Sequence, residues 1–375
     1  MLGERLSRDE EIGELEAILR TCPAFYPALF HLGVLEAVAG RSDPARRLLL
    51  EGADRMAERQ PSSVQEIDVS AVIEPLQDGL RYDLARDLLL RLTEHYPNDP
   101  FFHDELGGTL VVLGERDGAI RRFEKAVALD PENARYVCNL GWGLLAAGRL
   151  GDAKAHLERS LRMDSEDEIT RGNYGVLRFL ERNGGAFEDY LLRPLDRKEL
   201  GRLAKRAGYE ADFGELDRTV NQWNHQRLEA WKWDLCRRRE PPGYPEAYKS
   251  LGAFLGFVGQ LSQAPYSLYE DLDLLAGKFQ RVMHKFIFKM ADADAEIFEE
   301  VYAGLLGFYG FLSERGLLSE RALAAFRSEA LGIKRGLLEK TGRYAAIRHD
   351  DSVPEEEKER IREELFDGDH RWPWI

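Results

Sequence analysis

The sequence predicts an all-α protein in which an array of helical repeats is followed by a separate helical bundle. Part of the chain matches another part after a fixed shift along the sequence, which is the signature of repeated structural units. Elsewhere, apolar residues recur with the 3.6-residue period of an α-helix. No segment shows the two-residue alternation and β-branched enrichment that are typical of strands.

The repeat is clearest between residues 100 and 165, where corresponding positions lie thirty-four residues apart. The matching pairs are Leu106-Gly107 with Leu140-Gly141, Leu110 with Leu144, Gly114 with Gly148, Ala119 with Ala153, and Phe123 with Leu157. A glycine inside the first helix lets another helix approach closely, and a glycine such as Gly114 suits a helix C-terminus. This period, with its Leu-Gly pair and closing Pro131, resembles the tetratricopeptide repeat (TPR) family. The resemblance implies a right-handed α-solenoid of helix pairs.

The register of the repeat divides the first half of the chain into units. It gives a half repeat at 9–25, repeats at 26–59, 66–99, 100–133 and 134–167, and a capping helix at 168–182. The repeat at 66–99 is degenerate, because Val72-Ile73 replaces the Leu-Gly pair, and residues 60–65 before it are an inserted loop. The register ends at Asn183-Gly184-Gly185. A glycine pair interrupts helices, so we expect a solenoid domain over 1–183 and a boundary near Gly184-Gly185.

The second half of the chain, 186–375, keeps the helical period but loses the repeat. Stripes of apolar residues begin at Leu268, Ile297 and Leu323, and long helices are expected from about 212 to 238 and from 245 to 261. These patterns predict a separate bundle of α-helices. We do not recognise a family for this region.

Charge and cysteine usage restrict the location and the partners of the chain. A net charge of −15 and a pI of about 5.2 oppose binding to nucleic acid or to anionic membranes. Cys22, Cys138 and Cys236 are dispersed, which argues against a disulfide framework and against a cysteine zinc site. The N-terminus lacks the apolar segment of a signal peptide, and the apolar run at 251–261 is too short to span a bilayer. We therefore expect a cytoplasmic protein with neither cofactor nor metal.

Two motifs in the second half invite a metal or catalytic interpretation. The acidic stretch 292–296 begins like a calcium loop, but Ile297 stands where that loop requires glycine. His349-Asp350 is similar to the metal-binding pair of helical phosphohydrolases, whose other ligands would have to be His284 and Asp367. A helix N-terminal acidic cluster and a solvated loop are the simpler interpretations of these two motifs. We predict no catalytic residue and no metal ligand.

Tryptophans and arginines are concentrated on one long predicted helix. Trp223, Trp231 and Trp233 are followed by the run Arg237-Arg238-Arg239. Aromatic and basic residues together occur in sites that bind single-stranded nucleic acid. We favour a structural role, in which the tryptophans pack in a core or interface and the arginines complement the dipole at the end of their own helix.

The best-marked candidate site is the groove that the TPR resemblance implies. At one hundred degrees per residue, one set of side chains lies opposite the packing side of each first helix. These groove residues are Phe101, Glu105, Arg135, Asn139, Trp142, Ile169, Asn173 and Val176. In TPR proteins an asparagine at this place commonly holds the backbone of an extended peptide, and the resemblance implies this role for Asn139 and Asn173.

One common variant of the groove is not expected. The basic pair that grips the C-terminal carboxylate of heat-shock-protein tails is missing. The corresponding positions hold Phe30, Val34, Ser70, Glu74, Asp104 and Gly108.

The sequence therefore predicts a non-enzymatic adaptor or scaffold that binds a protein or peptide segment in a concave groove. Two alternatives remain open. In the first, the second half is a helical enzyme, such as a hydrolase, to which the repeats recruit substrate. Alternatively, the chain is a structural protein that assembles with itself as a homo-oligomer or fills the groove with its own residues. The apolar side chains of Ile169, Val176 and Leu180 make occupation of the groove by the chain's own residues credible.

Overall fold

A computed structural model of the chain describes residues 8–60, 66–210, 213–238, 244–262, 264–289, 295–348 and 350–369. Every regular element in these ranges is a helix, so the all-α prediction is confirmed. The chain divides into two compact units. The first comprises Met1–Arg193 with Trp233–Pro242, and the second comprises Pro194–Lys232 with Gly243–Ile375.

The first unit is a TPR-like α-solenoid, as the repeat predicts. Its helices are α1 (Arg8–Thr21), α2 (Tyr26–Val38), α3 (Ser42–Arg59), α4 (Glu66–Asp78), α5 (Tyr82–His95), α6 (Pro100–Leu113), α7 (Arg116–Leu129), α8 (Ala134–Ala146), α9 (Leu150–Met163), α10 (Glu168–Asn183) and α11 (Phe187–Leu191). Consecutive helices pair as hairpins, and each first helix also contacts the hairpin before it. The unit includes the last turn of a later helix, α13 (Gly214–Arg238), from Trp233 onward.

Three first helices begin at the same position of the repeat. Asp99, Asn133 and Asp167 stand thirty-four residues apart immediately before α6, α8 and α10. Each side-chain oxygen accepts a hydrogen bond from the backbone N–H two residues later, at 3.0, 3.1 and 3.2 Å respectively. The bond satisfies one of the N–H groups that the first turn of a helix leaves unpaired. Equivalent side chains of the three helices are therefore aligned on one face.

The Leu-Gly pair allows the two helices of a hairpin to pack closely. A Cβ atom on Gly141 of α8 would lie 2.7 Å from Cδ2 of Leu157 on α9, which is closer than real Cβ contacts allow. Gly107 meets Phe123 in the same way one repeat earlier, at 2.6 Å. The close approach expected from the sequence is confirmed in both hairpins.

The hairpin α4–α5 departs from this pattern. The residue after the end of α6, Gly114, has a φ of 81°, and the equivalent residue after α4 is Leu80 with a φ of 53°. A side chain in this left-handed region costs on the order of 1–2 kcal/mol. Pro75 lies inside α4, where it removes one helical hydrogen bond. The degenerate repeat therefore combines a strained end with an interrupted first helix.

The second unit is a bundle of longer helices. They are α12 (Arg197–Glu210), α13 as far as Lys232, α14 (Tyr244–Leu261), α15 (Phe279–Lys289), α16 (Ala295–Glu314), α17 (Glu320–Arg348) and α18 (Glu355–Phe366), with a 3-10 turn at Leu272–Leu274. Ring pairs fill its core, among them Phe254 with Phe286 at 5.1 Å and Phe279 with Phe326 at 5.3 Å. Helix α14 packs on α16, and α17 contacts α15, α16 and α18.

Among the helices of the described ranges, none is both long enough and apolar enough to cross a membrane.

Candidate functional site

The predicted groove residues lie on α6, α8 and α10, and we call the surface they form the first-helix face. Their exposure differs widely. Phe101 and Val176 are buried, with 3% and 6% of their surface exposed, whereas Arg135 is exposed and Ile169 is 69% exposed. The half-buried members are Glu105, Asn139, Trp142 and Asn173. The role of these residues in binding stays a prediction.

A buried carboxylate organises the N-terminal part of this face. The side chain of Asp104 on α6 is only 2% exposed. Its oxygens accept hydrogen bonds from Nδ2 of Asn139, at 2.9 and 3.1 Å, and from Nη2 of Arg135 at 3.2 Å. A buried charge is tolerated when it is paired in this way. The amide NH2 of Asn139 therefore serves Asp104, and its amide oxygen is the atom suited to accept an N–H from a partner.

Arg135 is oriented by more than its hydrogen bond to Asp104. Its guanidinium lies 3.7 Å from Glu105 and over two rings, 5.9 Å from the centroid of Phe101 and 5.3 Å from that of Tyr136. We call Phe101, Asp104, Glu105, Arg135 and Asn139 the Asp104 cluster. The cluster places an arginine that is half exposed at a fixed position on the surface.

Helix α10 continues the same part of the face with one amide and one apolar side chain. Nδ2 of Asn173 donates to Sγ of Cys138 at 3.4 Å. Burial raises the pKa of the Cys138 thiol, so it remains protonated at neutral pH and the sulfur is a weak acceptor. The bond holds Asn173 loosely. Ile169, in the first turn of α10, extends into solvent.

Trp142, at the C-terminal part of the face, has a different environment from the other groove residues. It packs edge-on against Trp233 of α13, with ring centroids 6.3 Å apart. Trp233 is 4% exposed and stacks on Phe187 of α11, at 5.4 Å with an interplanar angle of 13°. We call Trp142, Phe187, Glu188, Trp233 and Arg237 the Trp233 site. A residue of the chain itself thus covers one of the predicted groove residues.

Arg237 lies one turn after Trp233 and caps the end of α6. Its Nε donates to the carbonyl oxygen of Val112 at 3.1 Å, and its Nη2 lies 3.5 Å from that of Val111. The last carbonyls of a helix lack intrahelical partners and carry the negative end of its dipole, so a guanidinium is well suited to bind them. The same guanidinium lies 5.1 Å from the ring of Trp233.

Glu188 completes the Trp233 site as the carboxylate between two arginines. Its Oε1 accepts from Nη1 of Arg237 at 2.8 Å and from Nη2 of Arg116 at 2.9 Å. Burial acts to raise the pKa of Glu188, but the hydrogen bond and the charge of Arg237, with that of Arg116, outweigh burial and lower it, so the group is ionised at neutral pH. Its Oε2 is buried and has no hydrogen-bond partner in the part of the chain that the structure describes.

The structure corrects one interpretation of the sequence. The sequence predicts that the arginines at the end of α13 complement the dipole of their own helix, yet Arg237 bonds a carbonyl oxygen of α6. Trp233 was expected to pack in a core or interface, and it does so against the first-helix face. Sequence reasoning did not connect either residue to this face. The available signal was their four-residue spacing, which places both on one side of a helix end.

Two parts of the metal motifs of the second unit, residues 290–294 and His349, lie outside the described residues. Over the described ranges, no group of three His, Cys, Asp or Glu side chains is arranged to hold a metal ion. His284 is buried, with Nδ1 3.0 Å from Asp369 and Nε2 2.9 Å from Nζ of Lys340, and Asp367 is 3.9 Å away. Burial, with Lys340, lowers the pKa of His284, so the ring is neutral at pH 7.

Comparison with known proteins gives only distant structural likeness. No protein-family model and no curated protein matches the sequence. A solved structure of MamA (MSR-1 C2) is 22% identical over 42% of this chain and 94% of that chain, with a TM-score of 0.27. The solved TPR domain of P58(IPK) is 13% identical over 88% of this chain and 93% of that chain, with a TM-score of 0.26. Likeness at this level carries no argument about function, which has to come from the geometry of the chain itself.

Proposed function

We propose that the protein is a non-enzymatic adaptor that binds a protein segment against the N-terminal part of the first-helix face. The observation that supports this proposal is the Asp104 cluster. A buried carboxylate holds the side chains of Asn139 and Arg135 at the surface of an ordered repeat array. Helical repeat arrays provide extended surfaces of this kind for protein partners.

The Asp104 cluster lowers the entropic cost of binding. Free arginine and asparagine side chains lose rotamer freedom when a partner orders them, at a cost of roughly 0.5–1.5 kcal/mol for each immobilised side chain. Here the two side chains are already bound to Asp104, and Arg135 also lies against two aromatic rings. Most of the rotamer entropy of these side chains is therefore already lost in the unbound protein, and a partner that contacts them does not add this cost to binding.

Ile169 supplies the apolar part of the surface. It is one of the most exposed large apolar side chains in the described ranges, and it lies on the same face as Asn173. Burying such a side chain stabilises a complex by about 1.5–3 kcal/mol. We therefore infer a partner segment with an apolar side chain that covers Ile169, and with backbone N–H groups that donate to the amide oxygens of Asn139 and Asn173.

Photocrosslinking tests this proposal in the full chain. We would place p-benzoylphenylalanine at position 169 and, as a matched control, at Lys125, which is exposed on the second helix α7. We expect one or a few proteins to crosslink at position 169 and not at position 125. The change Arg135→Glu should reduce their yield, because it reverses the charge of the oriented arginine.

Equal crosslinking at the two positions would contradict the proposal, and so would the absence of any protein specific to position 169. Circular dichroism of the Arg135→Glu variant serves as the control for folding.

A further inference from the structure

The last turn of α13 binds the first-helix face in the manner of a ligand. It contributes two side chains, Trp233 and Arg237, which stand one turn apart on the same side of the helix. Trp233 fills the space between Trp142 and Phe187, and Arg237 reaches Glu188 and the end of α6. Aromatic and arginine anchors are the residue types that dominate binding at protein interfaces.

The groups that receive these two side chains are general in character. They are ring faces, a carboxylate and two backbone carbonyl oxygens. They call for a flat apolar group and a cationic donor, which an aromatic ring and a guanidinium supply. Any helix that carries an aromatic residue and an arginine four positions apart can present the same two groups.

The contacts of Arg237 with Glu188 and with the end of α6 do not use all the hydrogen bonds that these groups can form. Of the two carboxylate oxygens of Glu188, the guanidinium of Arg237 binds only Oε1. An arginine that approaches a carboxylate in line binds both oxygens. Among the described residues, nothing bonds the buried Oε2. The distance of 3.5 Å from Nη2 to Val111 is at the limit of a hydrogen bond. Arg237 itself is 29% exposed, so water competes for its donors.

We propose that Trp233–Arg238 is an exchangeable internal ligand, and that the Trp233 site is a binding site for a partner helix with an aromatic residue and an arginine four positions apart. The partner helix displaces the last turn of α13 and binds Glu188 through both carboxylate oxygens. The proposal does not depend on the proposed function, which concerns the Asp104 cluster.

Hydrogen exchange in the unaltered full chain tests whether the segment opens. We expect the backbone N–H groups of residues 234–238 to exchange through local opening, faster than those of α8 and α9 and with little dependence on denaturant. Exchange of these groups only at the rate of global unfolding would overturn the proposal.

A peptide with the sequence of residues 226–238, labelled with a fluorophore, tests whether the emptied site accepts a helix. A tethered segment acts at a millimolar effective concentration, so the unaltered chain should bind the free peptide weakly. The full chain carrying Trp233→Ala and Arg237→Ala should bind it at least about tenfold more tightly. The same peptide with Trp233→Ala and Arg237→Ala is the control, and Glu188→Gln in the receiving chain should abolish the gain.

If the double variant fails to fold, Trp233→Leu with Arg237→Ala serves as the receiving chain, because leucine keeps an apolar side chain at position 233 while removing the aromatic ring and the guanidinium from the site. Equal affinity of the folded variant and the unaltered chain for the peptide would overturn the proposal, as would equal affinity of the variant for the peptide and its control. Neither result would bear on the crosslinking at position 169, so the two proposals fail separately.

Discussion

The N-terminal and C-terminal parts of the first-helix face differ in which segments of the chain supply the residues that contact them. The Asp104 cluster is formed by neighbouring repeats, and its charged and amide groups satisfy one another. The Trp233 site contains Trp142 of the array, but it is completed by Trp233, which stands about ninety positions later in the chain. A repeat register thus predicts which side chains share a surface. It gives no information about a segment from outside the repeat that covers them.

The largest expected effect is a difference in stability between variants of the Trp233 site and variants of the Asp104 cluster. Trp233→Ala removes a buried indole from between two aromatic rings and should lower the free energy of unfolding by about 3 kcal/mol. Arg135→Ala, its counterpart in the Asp104 cluster, should cost about 1 kcal/mol, since the side chain is half exposed and Asn139 still donates to the Asp104 carboxylate. Denaturant unfolding followed by circular dichroism measures both values. Similar costs for the two variants would contradict the distinction.

The next effect concerns binding by the Asp104 cluster and α10. Asn139→Ala combined with Asn173→Ala should weaken binding of the partner that crosslinks at position 169 by roughly thirtyfold, if each of the two lost hydrogen bonds is worth about 1 kcal/mol. The fold should remain intact, with a loss of about 1 kcal/mol in stability because Asp104 loses one donor. Titration of the purified partner gives the affinity. A double variant that binds the partner as tightly as the unaltered chain would show that the amides of Asn139 and Asn173 do not contribute to binding.

Alanine substitutions at two equivalent glycines should measure the contact made by Arg237, because only one of the glycines lies next to it. Gly114 and Gly148 have φ values of 81° and 75°, so alanine at either position should cost about 1 kcal/mol of backbone strain. A Cβ atom on Gly114 would lie 3.3 Å from Nε of Arg237, whereas Gly148 has open space. Gly114→Ala should therefore cost more than Gly148→Ala. Unfolding measurements should show that this excess disappears in an Arg237→Ala background.

The smallest effect is a pH dependence close to the Asp104 cluster. Burial lowers the pKa of His103, next to Asp104 on α6, and Arg122 adds to this effect, although the carbonyl of Pro97 opposes it. The unfolded chain therefore takes up this proton at a higher pH than the folded chain does. The stabilisation is complete above the ordinary pKa of 6.5 and is lost as the pH falls towards the folded value.

Unfolding midpoints at pH 7.5 and 5.5 should show this loss in the unaltered chain and a smaller loss in His103→Gln. His284 in the second unit also has a lowered pKa, so part of the pH dependence should persist in the variant. A loss of equal size in the two proteins would exclude His103 as its source.

Much of the first unit could be predicted from the sequence, because its determinants are local. The Leu-Gly pair fixes the distance between helices within a hairpin, and recurring residues such as Gly114 and Gly148 fix where helices end. The placement of Asn139 opposite the packing side follows from helical periodicity alone. For its partner Asp104, the sequence indicates only that a basic residue is missing at this position. That its carboxylate is buried depends on the packing of α6 against α8.

The partner of Arg237 could not be predicted for a related reason. An arginine at the end of a helix has a suitable acceptor in its own last turn, and sequence spacing favours that local choice. The structure places the carbonyls of α6 within reach, which depends on tertiary folding.

The irregular hairpin α4–α5 has a consequence for how the first unit loses its structure. Arrays of repeats unfold as linear chains of coupled units, and cooperativity is transmitted only through the contacts between neighbours. Leu80 and Pro75 weaken one link in this chain, and α4 packs less extensively on α5 than the helices of the other hairpins pack on each other. Helix α5 contacts both α3 and α6, so the two sides of the irregular hairpin stay connected through it. In moderate denaturant we therefore expect α4 to lose its structure before α6–α9 does.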